Sequence, residues 1–157
     1  NGVVSTFFNG VDLDEVAVVY GDVMNVFSQQ YKVLCKSRSL KLFYKGMQGM
    51  PFSHQSAFVK TAILKNESFD QKYHITADYD FFYRMIVKYK LKGMATKKNE
   101  IFGKFRRGGV GSKLPFIDYL NETVRIRLDN GQNILLVSII FLLKYTRYLI
   151  NKIFLIQ

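Results

Sequence analysis

Apolar positions along this chain fall into three regimes, and each predicts a different kind of element. Val16-Ala17-Val18-Val19-Tyr20 is a continuous β-prone run ending at Gly21-Asp22, the pattern of a buried strand; Val23 to Phe27 alternates as its continuation or as a neighbour. Phe81, Phe82, Met85, Ile86 and Tyr89 recur at helical spacing behind Thr76-Ala77-Asp78-Tyr79-Asp80. That predicts an aromatic-rich helix with Thr76 or Asp78 as its N-cap. The third regime is the unbroken run Ile134 to Leu143, apolar apart from Ser138.

Between these anchors the weaker signals predict the rest. Val3, Val4, Phe7 and Phe8 suggest a short helix closed by Asn9-Gly10, and Ser53 is placed to cap a helix running through Phe58 to Leu64. Phe69 is expected to be buried, beside Asp70 as a turn former. Gly93 is expected to end the central helix after Lys88, Lys90 and Lys92. Strands are predicted through Met94-Ala95 and from Ile101 to Phe105, and a helix from Pro115 to Asn130-Gly131.

A chain of 157 residues, 48% hydrophobic, is long enough to bury a core and excludes a disordered tail. Its 23 basic against 12 acidic residues leave a net charge of +11, which implies an anionic partner: a nucleotide diphosphate, an acidic membrane or a nucleic acid. Aromatics and cations mix between Ser28 and Gly49, but no basic-Gly-aromatic RNA signature or zinc-finger spacing accompanies them, so nucleic acid is not expected. Cys35 is the only cysteine, which excludes an internal disulfide and favours a reducing compartment.

The candidate chemistry sits at two helix openings and one loop. Asp78 and Asp80 lie in a first turn, where carboxylates serve either as caps to the helix dipole or as catalytic acids. His54 and Gln55 follow Ser53 and suit hydrogen bonding to phosphate or a sugar hydroxyl; the alternative is a histidine satisfying a loop carbonyl. Arg106-Arg107-Gly108-Gly109-Val110-Gly111-Ser112 could cradle a phosphate through backbone donors or form a lid.

Taken in order, Tyr20-Gly21-Asp22-Val23, Phe52-Ser53-His54-Gln55-Ser56-Ala57-Phe58, Phe69-Asp70 with Ala77-Asp78-Tyr79-Asp80-Phe81, and Gly108-Gly109-Val110 resemble the second half of a bacterial family 2 glycosyltransferase. The resemblance spans about the first 115 residues. It implies an α/β fold of the GT-A type, a mixed sheet with flanking helices, occupying residues 1–113 as the acceptor-side half and followed by a helical extension over 114–157. It also implies inverting transfer of a sugar from a nucleotide-sugar donor to a saccharide or lipid-linked acceptor in envelope polysaccharide synthesis. Asp78 would be the catalytic base, with His54, Gln55, Asp80, Arg84, Gly108 and Gly109 as substrate-binding residues. Where the family motif has Glu, position 77 is Ala, and a glycine is inserted before Ser112. The family's divalent ion, Mg or Mn, would be held by an Asp-x-Asp element in a nucleotide-binding half that this segment lacks.

The tail bears on localisation. Ile134 to Leu143 is too short to cross a bilayer, and Lys144, Arg147 and Lys152 punctuate the aromatic and aliphatic residues beyond it. Two readings remain open: a helix lying in the interface of an anionic membrane, or a helix closing the core. The first fits a cytoplasmic protein peripheral to the inner face of the cytoplasmic membrane. A competing function, from a different class, is a non-catalytic basic domain at the membrane surface, or an inactive fragment, in which the acidic pair only caps a helix.

Overall fold

The structure, a computed structural model, describes residues 12, 14–28, 32–96, 101–106 and 114–154. The helix expected around Val3 to Phe8 and the glycine loop with Gly108 and Gly109 lie outside the described residues. The described architecture is mixed α/β, with two small mixed sheets flanked by helices.

The predicted strand is β1 (Val18–Tyr20), buried at every position. It pairs antiparallel with β4 (Ala57–Val59) and parallel with β5 (Gly93–Ala95). Beyond Gly21 the chain enters a second sheet as β2 (Asp22–Val26), antiparallel to β3 (Lys32–Cys35) and parallel to β6 (Ile101–Arg106). Ser56 holds this crossing point: its carbonyl accepts the Gly21 N–H at 3.0 Å and its hydroxyl donates to the Gly21 carbonyl at 2.8 Å. A fully buried hydroxyl thus satisfies backbone that neither sheet ladder pairs.

Helices α1 (Lys41–Tyr44), α2 (Thr61–Asn66) and α3 (Ala77–Phe82) precede α4 (Phe116–Asp129) and α5 (Ile134–Phe154). The central helix is α3, which widens into a π-helical turn over Tyr83–Lys88. Tyr79, Phe81, Phe82, Tyr83, Met85 and Ile86 are all buried there and form the core with Val18, Tyr20, Phe43, Phe52 and, from α4, Ile126. Residues on both sides of position 113 therefore share one core. Arg127 is buried beside it, its guanidinium donating to the carbonyls of Gly46 and Gln48 and to Gln132, with the Tyr79 and Tyr83 rings 5.8 and 5.5 Å away. Gly46 has φ +65, and a Cβ there would lie 2.8 Å from the Gln132 amide, so this tight turn excludes a side chain.

Several local expectations give way to long-range pairing. The helix expected from Ser53 through Leu64 is a 3-10 turn (His54–Ser56), then β4, then α2, because Ala57-Phe58-Val59 fills the open edge of β1. Ser53 caps nothing; its hydroxyl meets the Gln55 side chain. The central helix ends at Lys88 rather than Gly93, with Lys90 taking a positive φ of 58°. Gly93 instead opens β5, where a Cβ would meet the Leu40 side chain at 2.5 Å. Phe69 is 53% exposed rather than buried, its ring tilted against that of Phe81 with centroids 5.0 Å apart.

The C-terminal apolar run is longer as a helix than as a sequence pattern. At 21 residues and about 1.5 Å per residue, α5 is roughly 30 Å long. Among the described residues it is the one helix long and apolar enough to cross a membrane by length and composition, although the unbroken apolar run within it remains the ten residues Ile134 to Leu143. Only Val137 is fully buried, so α5 does not close the core as a buried helix either.

Candidate active site

Two of the sequence-predicted residues meet. Phe52 stacks on Tyr20 with ring centroids 4.4 Å apart and meets Phe82 edge-on at 5.1 Å, which anchors the loop leading into the 3-10 turn. The turn presents His54, and the first turn of α3 presents Asp78. Nδ1 of His54 is hydrogen-bonded to one Asp78 carboxylate oxygen, and the other accepts the Tyr79 N–H at 2.8 Å. Both Asp78 oxygens are therefore engaged.

The side chains are partly open to solvent, 48% for His54 and 33% for Asp78. The Asp78 hydrogen bond holds the His54 pKa above its ordinary value, against burial, which works to lower it. For Asp78, burial works upward, but the His54 hydrogen bond and charge together with the Tyr79 N–H leave the carboxyl below the usual range. Such a pair keeps the carboxylate charged and raises the basicity of the imidazole.

His54 and Asp78 line a cleft of about 380 Å³ whose other walls include Met50, Phe52, Tyr79, Leu114, Phe116 and Tyr119. Tyr79 is 3% exposed, and burial pushes its phenol up. Its hydroxyl and Arg127 Nε are buried without a hydrogen-bond partner among the described residues. Lys144 reaches back from α5 to lie 5.6 Å from the Tyr119 ring centroid, and burial pushes its ammonium down to about 8, with the Arg127 charge acting in the same direction.

The mouth of α3 is held by a residue that sequence reasoning missed. Thr76 is the N-cap by position, but its side chain makes no cap bond. Instead Glu122 reaches across from α4. One of its oxygens accepts the His74 N–H at 2.8 Å; the other accepts the Ile75 and Thr76 N–H groups at 2.9 and 2.6 Å and the Thr76 hydroxyl at 2.8 Å. Burial works to raise the Glu122 pKa, and these four donors hold it below the ordinary value. A carboxylate does the capping, as the helix dipole favours, but from another helix. Spacing puts Glu122 on one face of α4 with Phe116 and Tyr119, but no local pattern marks it as a cap.

The remaining candidates lie elsewhere. Asp80 is 1% exposed; its Oδ2 accepts Arg84 Nε at 2.9 Å and its Oδ1 accepts from Asn130 at 3.3 Å. Arg84 also pairs with Glu67 at 2.6 Å and donates to the Ser68 carbonyl at 2.6 Å. Neither Asp80 nor Arg84 lines the cleft; they tie α3 to the end of α2 and to the end of α4. Gln55 is exposed beside Ser53 and does not line it either. Gly108 and Gly109 are outside the described residues.

Among the described residues no group of three or more His, Cys, Asp or Glu side chains is arranged to hold a metal ion, so the divalent ion implied by the resemblance has no fitting donor set there. The arrangement offers a charged carboxylate, an imidazole raised in basicity, and an aromatic wall on which a ring could stack. Compared with protein-family models, curated proteins and solved structures, the chain matches none.

Proposed function

We propose that the cleft activates an acceptor hydroxyl by general-base catalysis, in the inverting transfer of a sugar from a nucleotide-sugar donor to a saccharide or lipid-linked acceptor. The observation that carries the base chemistry is the His54–Asp78 pair at the rim of an aromatic cleft; the donor and acceptor classes rest on the glycosyltransferase resemblance. The pair also redistributes the roles that the resemblance implies. A carboxylate with both oxygens engaged and a lowered pKa is a poor proton acceptor, whereas Nε2 of His54, left free by the Nδ1 bond, is a good one near neutral pH. His54 takes the hydroxyl proton as the acceptor oxygen attacks the anomeric carbon from the face opposite the leaving group, and the bond from that carbon to the nucleoside diphosphate breaks, the diphosphate leaving with its electron pair; Asp78 fixes the imidazole tautomer and stabilises the imidazolium that forms. Phe116 and Tyr119 supply flat apolar surface for the sugar ring.

The test is transfer activity from UDP-glucose, UDP-N-acetylglucosamine and GDP-mannose to oligosaccharide acceptors, comparing parent, His54→Gln and Asp78→Asn. His54→Gln is expected to lower kcat by about two or more orders of magnitude with the fold intact. Asp78→Asn is expected to lower kcat and to move the acidic limb of the pH profile to lower pH, because the imidazole loses its charged partner. If Asp78 is itself the base, Asp78→Asn abolishes transfer at every pH and His54→Gln stays within a factor of a few of parent. No transfer by the parent from any of these donors would overturn the glycosyltransferase reading.

We further propose that α5 lies along an anionic membrane surface. Its outward side chains Leu135, Leu142, Leu143, Ile153 and Phe154 are 59 to 71% exposed, and Arg147 and Lys152 are exposed among the residues near its C-terminal end.

A further inference from the structure

The β3-β2-β6 sheet carries a second charged concavity that the cleft chemistry does not use. In the register of this sheet Val26 lies opposite Lys32 on one side and Arg106 on the other, and Met24 opposite Leu34 and Lys104. Since alternate residues share a face, Lys32, Lys104 and Arg106 project from the same side. Strand spacing puts the Lys32 and Arg106 backbones about 10 Å apart across β2, and Lys104 lies about 7 Å along β6 from Arg106. Their side chains are long enough to converge over Val26, and together these four residues line a groove of about 330 Å³. All three cations are exposed, and among the described residues none is in a salt bridge. The acid on this strand, Asp22, lies at the far end of β2, where it accepts the Ser37 N–H and hydroxyl.

This face is distinct from the cleft. A Cβ at Gly103 would point at the Gln55 carbonyl, 3.9 Å away, so the alternating face of β6 that holds Gly103 looks toward the turn bearing His54. Lys104 and Arg106 point the other way. The sheet therefore stands between the two regions.

We propose that this face is a second binding site, taking a ligand with two linked phosphates or closely clustered phosphoryl groups. Three cations match a diphosphate better than a single carboxylate, the arginine fork can engage two oxygens at once, and the lysines act as point charges beside it. The rigid strands hold the three positions in place before the ligand arrives. The same chemistry is available from a soluble diphosphate or from phosphomonoester headgroups at a membrane surface.

The test titrates the full chain with inorganic pyrophosphate by calorimetry and, separately, measures flotation with phosphatidylcholine vesicles with and without phosphatidic acid. The parent is compared with Lys32→Gln, Lys104→Gln, Arg106→Gln and the triple variant, with folding checked by circular dichroism. Each neutralisation is expected to weaken binding about tenfold, and added salt to weaken it further. Pyrophosphate binding that follows this series identifies a soluble ligand. Dependence on these residues seen only with phosphatidic acid identifies a headgroup. Binding of both probes unchanged in the triple variant, or no binding of either by the parent, overturns the proposal. Arg106→Lys serves should the triple variant fail to fold: it keeps the charge and loses the fork, so binding of both probes that is unchanged in Arg106→Gln and Arg106→Lys alike also overturns it. Asp78→Asn should bind pyrophosphate like the parent, which separates this site from failure of the cleft reading.

Discussion

Glu122 builds the mouth of the cleft, and removing it gives a measurable cost. Glu122→Ala takes away a charged acceptor from four donors, three of them backbone N–H groups in the 74–76 segment. Hydrogen bonds to a charged group contribute about 1.5–3 kcal/mol each when buried, but these donors differ in what water can replace. His74 is exposed and regains a water at little cost; Thr76 is 4% exposed and does not. Counting chiefly the Ile75 and Thr76 donors, we expect a loss of about 2–4 kcal/mol, a drop in Tm of roughly 5–15 °C for a chain of this size. Glu122→Gln should cost less, about 1–2 kcal/mol: its carbonyl can take the crowded position facing Ile75 and Thr76, while its amide faces the solvated His74 N–H.

The pH dependence has a definite sign. Because the folded pKa of Glu122 is lowered from 4.5, its contribution is fully present above that value and is lost as pH falls through the folded value. The gap between parent and Glu122→Gln in denaturant midpoint should therefore close in acid. Glu122 does not hold the mouth of the cleft if Glu122→Ala unfolds within about 0.5 kcal/mol of parent at neutral pH, or if the gap between parent and Glu122→Gln is the same at pH 3 as at pH 7.

Three further outcomes follow from the same geometry. In an NMR titration His54 should hold its proton to higher pH than an ordinary histidine, and Asp78→Asn should bring it down; the stability that the pair contributes should be present below pH 6.5 and be lost as pH rises through the raised folded value. Arg84→Met leaves Asp80 buried with only Asn130 beside it and should cost about 3–5 kcal/mol, part of which Asp80→Asn in the same chain restores; equal stability of single and double variants would remove the ion pair from this account. Replacing Leu135, Leu142, Leu143 and Ile153 with Ser should abolish flotation with anionic vesicles while keeping the core, since none of the four is buried; parent protein that stays in the aqueous phase at low salt sinks the membrane reading.

What local pattern controls was legible. The continuous Val-rich run became β1, the helical spacing of Phe81 to Ile86 became the end of α3 and the π-helical turn after it, and the stretch after Pro115 became α4, because each element follows from a period that its own residues carry. What distant partners control was not. Ala57-Phe58-Val59 reads locally as helix and becomes strand only because β1 offers an open edge. Within the site, His54 and Asp78 were both recognisable as candidates, but their contact spans 24 positions and depends on the Phe52 stack that aims the turn. Glu122 carries no signal as a cap in the sequence, since its partners lie 46 to 48 residues away. Asp80 and Arg84 form the familiar i,i+4 pair, and burial of Asp80 turns that pair into a strut.

The way α5 lies against the rest of the chain links its surface to the cleft. Val137, Phe141, Lys144 and Tyr148 fall at intervals of four, three and four, a single stripe facing inward, and these are among its least exposed residues. Lys144, which by sequence looks like a charge interrupting an apolar helix, is therefore turned away from the outer surface and spent against Tyr119. From Ile134 through Thr146 the exposed residues of the helix carry no charge, and the first exposed cation is Arg147. On its inner stripe, Tyr148 stacks on Phe116 with centroids 4.5 Å apart, and Phe116 and Tyr119 both form cleft wall. A bilayer that engages the outer face thus acts on a helix whose inner face is in direct ring contact with the site. Since aromatic contacts of this kind have a preferred geometry, a shift of α5 by an ångström or two must either break the Phe116–Tyr148 stack or carry Phe116 with it, and in the second case a wall of the cleft moves.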